Sequence, residues 1–186
     1  MLRQNAEHGI PAAICHLGQN YSHMQLGVKT SHKKAARLFQ RAADLGDVGA
    51  MFSLGVIYKT GQGVKIDNKK AAKHFRMAAD RGHAAAQNNL GNCFDEGVGV
   101  AKDYDEACRW FKLACEQDYT YAEHKMGCMY WLGRGVVCDI TEALRWFKRA
   151  ARKGDRSAID FLDLYGQAKN GDRDAIAALS AYKLKF

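Results

Sequence analysis

Apolar residues fall at i, i+4 and i+8 in Ala50, Leu54 and Tyr58, the stripe of an amphipathic helix. A second stripe of Ala71, Phe75 and Ala78 follows after a glycine-rich break. The pair then repeats. Leu54-Gly55 returns as Leu90-Gly91 and Met126-Gly127, Phe75 returns as Phe111 and Phe147, and each step is 36 positions. Gly61-x-Gly63-Val64 returns as Gly97-x-Gly99-Val100 and Gly133-x-Gly135-Val136. A fixed period of this size marks a stacked array of helix pairs, each burying its apolar face on its neighbours. The fold class is therefore all-α, a solenoid of antiparallel helix pairs spanning residues 1–186.

Repeats are expected at 10–46, 47–82, 83–118 and 119–154, with residues 1–9 as the tail of a preceding helix. That tail suggests a chain that starts within a repeat. Residues 155–186 read as divergent capping helices, because Asp163 stands at the glycine position and Gly166 at the tyrosine position. One extra residue lies between Tyr21 and Ala35, so the turn from Ser22 to Gly27 should deviate. Ala175, Ile176 and Leu179 are expected on one side of a last helix.

Local chemistry agrees with this period. Gly55 inside a helix costs about 1 kcal/mol against alanine, so its recurrence implies a crossing that admits only hydrogen. Gly61 and Gly63 end the first helix with positive φ. Asp67, Asp103 and Asp139 are placed to cap the second helices, with Ser31 in that role in the first unit. Glu106 and Glu142, three residues on, complete a capping-box pattern. Asp118 replaces the glycine that closes a unit and tolerates a left-handed conformation less well.

Composition narrows the function classes. The single proline against 18 glycines suits helices joined by glycine turns, and the longest apolar runs are too short to span a bilayer. Six cysteines keep no constant repeat position and form no Cys-x-x-Cys pair, which favours reduced thiols and a cytoplasmic setting over a disulfide or zinc framework. Seven histidines show no metal-binding spacing, and no cofactor motif is present. The glycine turns join helices rather than strand to helix, so they are not phosphate loops. His124 and Cys128 share a helix face, but nothing in the sequence orients the histidine as a catalytic base. No enzyme is expected.

The run from Ala50 to Ala78, Ala-x-x-x-Leu-Gly-x-x-Tyr-x-x-Gly-x-Gly-Val-x-x-Asp-x-x-x-Ala-x-x-x-Phe-x-x-Ala, resembles the Sel-1-like repeat, a relative of the tetratricopeptide repeat. The resemblance implies a right-handed superhelix that serves as an adaptor in protein assemblies. A cysteine-rich branch of the family carries a bridge between the end of a second helix and a residue eight positions on. Cys115 fits the first position, but Glu123 stands at the second, so the chain departs from that branch.

Two surfaces follow as candidates. By position in tetratricopeptide relatives, the inner groove would be lined by Phe52, Val56 and Lys59, by Asn88, Asn92 and Asp95, and by His124, Cys128 and Trp131. Phe52 and Trp131 are large apolar groups outside the repeat's packing stripe, and Asn88 and Asn92 offer paired amides to a peptide backbone. Packing of Phe52 and Trp131 against neighbouring repeats is the alternative. On the second helices Arg37, Lys73, Arg76, Arg109, Lys112, Arg145 and Lys148 recur in register, and the net charge is +8. That stripe is a solvated convex face or a docking surface for nucleic acid, an acidic membrane or an acidic protein. The expected partner is a protein or peptide segment, with nucleic acid disfavoured. Trp110 and Trp146 are expected half-buried between repeats.

Overall fold

The computed structural model describes residue 6 and residues 9–23 and 31–185, the side chains of 22–23 and 182–185 excepted. The expected helix tail over residues 1–9 and the deviant turn after Tyr21 fall largely outside these residues. The described chain is helical throughout and divides into two compact units, Met1–Lys102 and Asp103–Phe186.

The first unit holds α1 (Pro11–His23), α2 (His32–Asp44), α3 (Val48–Thr60), α4 (Asn68–Ala79) and α5 (Ala84–Glu96). Helices α1 and α2 pack as a pair, as do α3 and α4. Leu54, Phe75 and Leu90 are essentially sealed from water. Burying such a side chain contributes about 1.5–3 kcal/mol, and this is what turns periodicity into a fold. Phe75 lies on Gly55, where an added β-carbon would overlap its ring, and at Gly18 an added β-carbon would crowd the Phe39 ring at 3.1 Å. The recurring helical glycine is thus a seat for the recurring phenylalanine.

Each loop between paired helices is closed by one backbone bond. The Ser31 N–H donates to the Tyr21 carbonyl and the Asp67 N–H to the Tyr58 carbonyl, both at 2.9 Å. The second glycine of the loop has a separate task. A β-carbon at Gly99 would strike the Asn68 carbonyl, and at Gly63 it would meet the His32–Lys33 peptide. The loop of one repeat therefore rests on the opening turn of the preceding repeat's second helix.

The second unit holds α6 (Tyr104–Glu116), α7 (Thr120–Leu132), α8 (Ile140–Arg152), α9 (Arg156–Lys169) and α10 (Arg173–Lys185). The same devices return: a β-carbon added to Gly127 would overlap the Phe147 ring, and one added to Gly135 would strike the Tyr104 carbonyl. Phe147 and Phe161 stack at 4.1 Å between centroids. Ala175 and Leu179 are buried, but Ile176 is 47% exposed, so the last helix turns Ile176 away from the face expected to hold all three.

Two expectations about helix ends need correction. Asp67, Asp103 and Asp139 do cap α4, α6 and α8 by accepting the backbone N–H three residues on. Ser31 occupies the same position without a side-chain bond. The capping boxes are only half formed. The Asp139 N–H donates to the Tyr130 carbonyl, which leaves Glu142 to pair with Arg145. Glu106 likewise turns to Trp110 and Arg109. Asp118 does adopt a left-handed φ of 57°. Arg149 and Lys153 donate to its carboxylate at 2.8 and 2.9 Å, and these bonds hold the conformation.

Candidate functional site

In the first unit the candidate residues sit on α3 and α5. Lys59 is exposed, Phe52 and Val56 are half-buried, and Asn88 and Asp95 are buried. Asn88 is 7% exposed, and Asn92 follows one helical turn later, half-buried. The Oδ1 atoms of both are sealed from solvent and meet no hydrogen-bond donor among the described residues. An unmade bond to a buried polar atom costs about 1–3 kcal/mol, so two on successive turns of one face is a feature that packing does not explain.

Phe52 is not free of packing duty. Its ring stacks on His83 at 4.6 Å and lies 6.0 Å from Phe75. His83 in turn caps α5, its Nδ1 accepting the Ala86 N–H at 3.2 Å. This role was missed in the sequence. Asp47, His83, Tyr119 and Asp155 form a column at the 36-residue period. Asp47 and Asp155 cap α3 and α9 through their carboxylates, while Tyr119 makes no side-chain cap on α7. Reading that column as N-caps would have found His83.

In the second unit two groove candidates become core. Trp131 is 5% exposed and meets Phe161 and Tyr165 edge-on, at 5.1 and 6.0 Å. Cys128 is 7% exposed in the same cluster. The first helix of the following repeat, α9, supplies the aromatic partners, so the alternative of packing against a neighbouring repeat holds for Trp131. His124 is half-buried beside Phe147, with Nε2 3.8 Å from the Cys128 sulfur. Burial pushes the His124 imidazole below its ordinary value, partly opposed by Asp155.

Glu123 is the other feature the sequence did not disclose. It is wholly buried, yet its Oε1 binds Arg149 Nε at 2.6 Å and Lys153 Nζ at 2.7 Å. A buried carboxylate is tolerable only when paired, and both cations come from α8 and the turn after it. Cys115 stands nearby, its thiol pushed up to about 12 by burial and by the Glu123 charge. An ion pair thus occupies the place where the cysteine-rich branch would carry its bridge. All six cysteines are free, five of them buried.

The basic stripe is partly spent on local contacts. Arg109 pairs with Glu106 and lies over Trp110, Arg145 pairs with Glu142, and Arg76 covers Phe94. Arg37, Lys73, Lys112 and Lys148 stand exposed. Trp110 is fully buried, deeper than expected, because Glu106 accepts its indole N–H at 3.1 Å; Trp146 is half-buried. Among the described residues no group of three or more potential ligands could hold a metal, and no helix is long and apolar enough to cross a membrane.

Comparison with known proteins places this geometry. The Sel1 repeat matches residues 11–47, 48–83, 84–119 and 120–155. A protective antigen of uropathogenic Escherichia coli that displays an SLR fold is 33% identical, with a TM-score of 0.85 over 99% of this chain. This chain spans 39% of that antigen's length. A Sel1 repeat protein from Oxalobacter formigenes is 34% identical, with a TM-score of 0.80 over 88% of this chain and 66% of its own. An immunity protein from Pseudomonas aeruginosa is 25% identical, with a TM-score of 0.58 over 88% of this chain and 60% of its own. No curated protein matches at the level that marks a relative. Four full repeats, the seats of Phe39, Phe75 and Phe147 on Gly18, Gly55 and Gly127, and these structural likenesses make the chain a member of the Sel1 repeat family.

Proposed function

We propose that the chain is a noncatalytic adaptor that holds a peptide or protein segment against the faces of its first helices, with Asn88 and Asn92 of α5 as the central contacts. The observation that carries this reading is the pair of amide oxygens that the described chain leaves without a donor; both are sealed in the free chain, so a bound segment would meet them by turning the side chains outward. A peptide backbone supplies N–H and C=O groups in alternation, and an asparagine ladder can answer both. Phe52, Val56 and Lys59 on α3 offer apolar surface and one cation beside it. Of the remaining candidates, His124 belongs to the second unit and is no part of this surface, and Trp131 and Cys128 are core residues there. No cofactor or metal is part of the reading. The E. coli antigen and the P. aeruginosa immunity protein are named for roles outside catalysis, which is consistent with it.

Selection from a phage-displayed peptide library tests the proposal. The selected peptides should bind about tenfold more weakly to Asn92→Ala, the usual scale for a lost buried hydrogen bond, and should keep their affinity in high salt. Peptides indifferent to both asparagines would overturn it. So would nucleic-acid binding that collapses with salt and with Lys112→Glu and Lys148→Glu, which would move the function to the basic stripe.

A further inference from the structure

His83 closes the N-terminus of the helix that carries Asn88 and Asn92. We propose that His83 is a proton-sensitive cap, and that its protonation loosens the first turn of α5 and weakens binding at the asparagine pair. The regulatory half of this statement rests on the function proposed above; the capping half does not.

The geometry is specific. Nδ1 accepts the Ala86 N–H at 3.2 Å, and the ring lies on Phe52 with 17° between the planes. A nitrogen that accepts carries no proton, so the neutral ring is held as the Nε2–H tautomer. At the equivalent positions Asp47 and Asp155 accept through carboxylate oxygens at 2.7 Å. His83 alone in this column offers an imidazole, the side chain that changes charge near neutral pH.

Protonation reverses the contact. Nδ1 becomes a donor facing another donor, the Ala86 N–H is orphaned, and a positive charge stands at the positive end of the helix dipole. The attraction of the Phe52 face for an imidazolium opposes these effects and limits how far the titration falls. Among the described residues no charged group is placed to reverse the direction. Lys59 is α3's charged side chain and sits near its opposite end, and Asp47 before α3 is engaged with the Ala50 N–H. On α4 Lys69, Lys70 and Lys73 are exposed, His74 stacks on Tyr58 and Arg76 lies over Phe94, while Asp80 and Arg81 in the turn are exposed. On α5 itself the acidic groups, Asp95 and Glu96, lie in the last turn. Burial is the first cause of the downward displacement of the imidazole from its ordinary 6.5. The cap is therefore intact above that value and is lost as pH falls through the lower folded-state midpoint. Asn88 lies in the second turn, directly behind the one affected.

The experiment is a residue-resolved NMR titration of the free protein from about pH 7.5 to about pH 5, beside the variant His83→Asn, which caps without titrating. The His83 imidazole, the Ala86 N–H and the Asn88 and Asn92 side-chain NH2 signals should move on one curve with a midpoint below 6.5. They should stay flat in His83→Asn. After correction for intrinsic exchange, the Ala86 amide should exchange about fivefold faster at the acid end, the scale of a lost cap. Ala86 and Asn88 signals that ignore the His83 titration, or that move identically in the variant, overturn the proposal. A display-selected, Asn92-dependent peptide supplies the second arm: its affinity should fall on acidification in the parent and hold in His83→Asn, and equal loss in both would refute the regulation. Should no selected peptide depend on Asn92, the proposed binding function fails alone, and the NMR curves still decide the cap.

Discussion

Gly55 and Phe75 occupy one space: a β-carbon added to the glycine would overlap the phenylalanine ring. The relation recurs between Gly127 and Phe147, so the repeat's most regular residues are two halves of one contact. Gly55→Ala should destabilise the protein by about 1–3 kcal/mol, as overpacked cores do. Phe75→Leu in the same chain should recover part of it. Gly166→Ala, with nothing within 4 Å of its added carbon, should be neutral or stabilising by about 0.5–1 kcal/mol. Urea melts of the variants make the comparison, and equal losses at Gly55 and Gly166 would contradict the seat.

Phe75→Ala and Trp131→Ala should each cost about 3–5 kcal/mol, since both side chains are buried. For Trp131 this is a statement about function as well. Loss of stability without a selective loss of peptide affinity, measured well below the melting temperature, is the expected outcome.

Glu123 should behave as a buried, paired charge. Glu123→Ala leaves Arg149 and Lys153 without their inner partner, and a loss of about 1–3 kcal/mol is expected, below the usual scale for buried pairs because both cations are partly exposed. Chemical denaturation with urea, which adds no salt, should reveal it. A variant as stable as the parent would mean that the buried carboxylate gains nothing from its neighbours.

Acid should weaken the protein in two stages. Burial lowers the titrations of His74, His83 and His124 below 6.5, so the stability they contribute is present above that value and lost as pH falls through the folded midpoints. The Asp118 carboxyl is held below 3.8 by hydrogen bonds from Lys153 and Arg149, so its contribution is lost only at lower pH still. Unfolding free energy measured across that range should fall first between neutral pH and pH 5, and His83→Asn should remove part of the first stage.

The regular part of the fold was legible because period and burial report the same thing. Leu54, Leu90, Met126 and the phenylalanines lie where their spacing put them. The departures arise where a neighbour in space decides. For Trp131 the sequence left groove and core both open until α9 supplied Phe161 and Tyr165, and the capping boxes looked complete until the Tyr130 carbonyl took the Asp139 N–H. Glu123 and His83 were hidden for a related reason. Each breaks a column of unlike residues, and only the side chains around it give the break a meaning.

The paired amides of Asn88 and Asn92 carry the functional account, and one measurement addresses them directly. A selected peptide added to labelled protein should shift the side-chain NH2 signals of both asparagines, with Phe52 and Val56 following and Lys112 and Lys148 unmoved. Shifts confined to Lys112, Lys148 and their helices, with both asparagines silent, would contradict it.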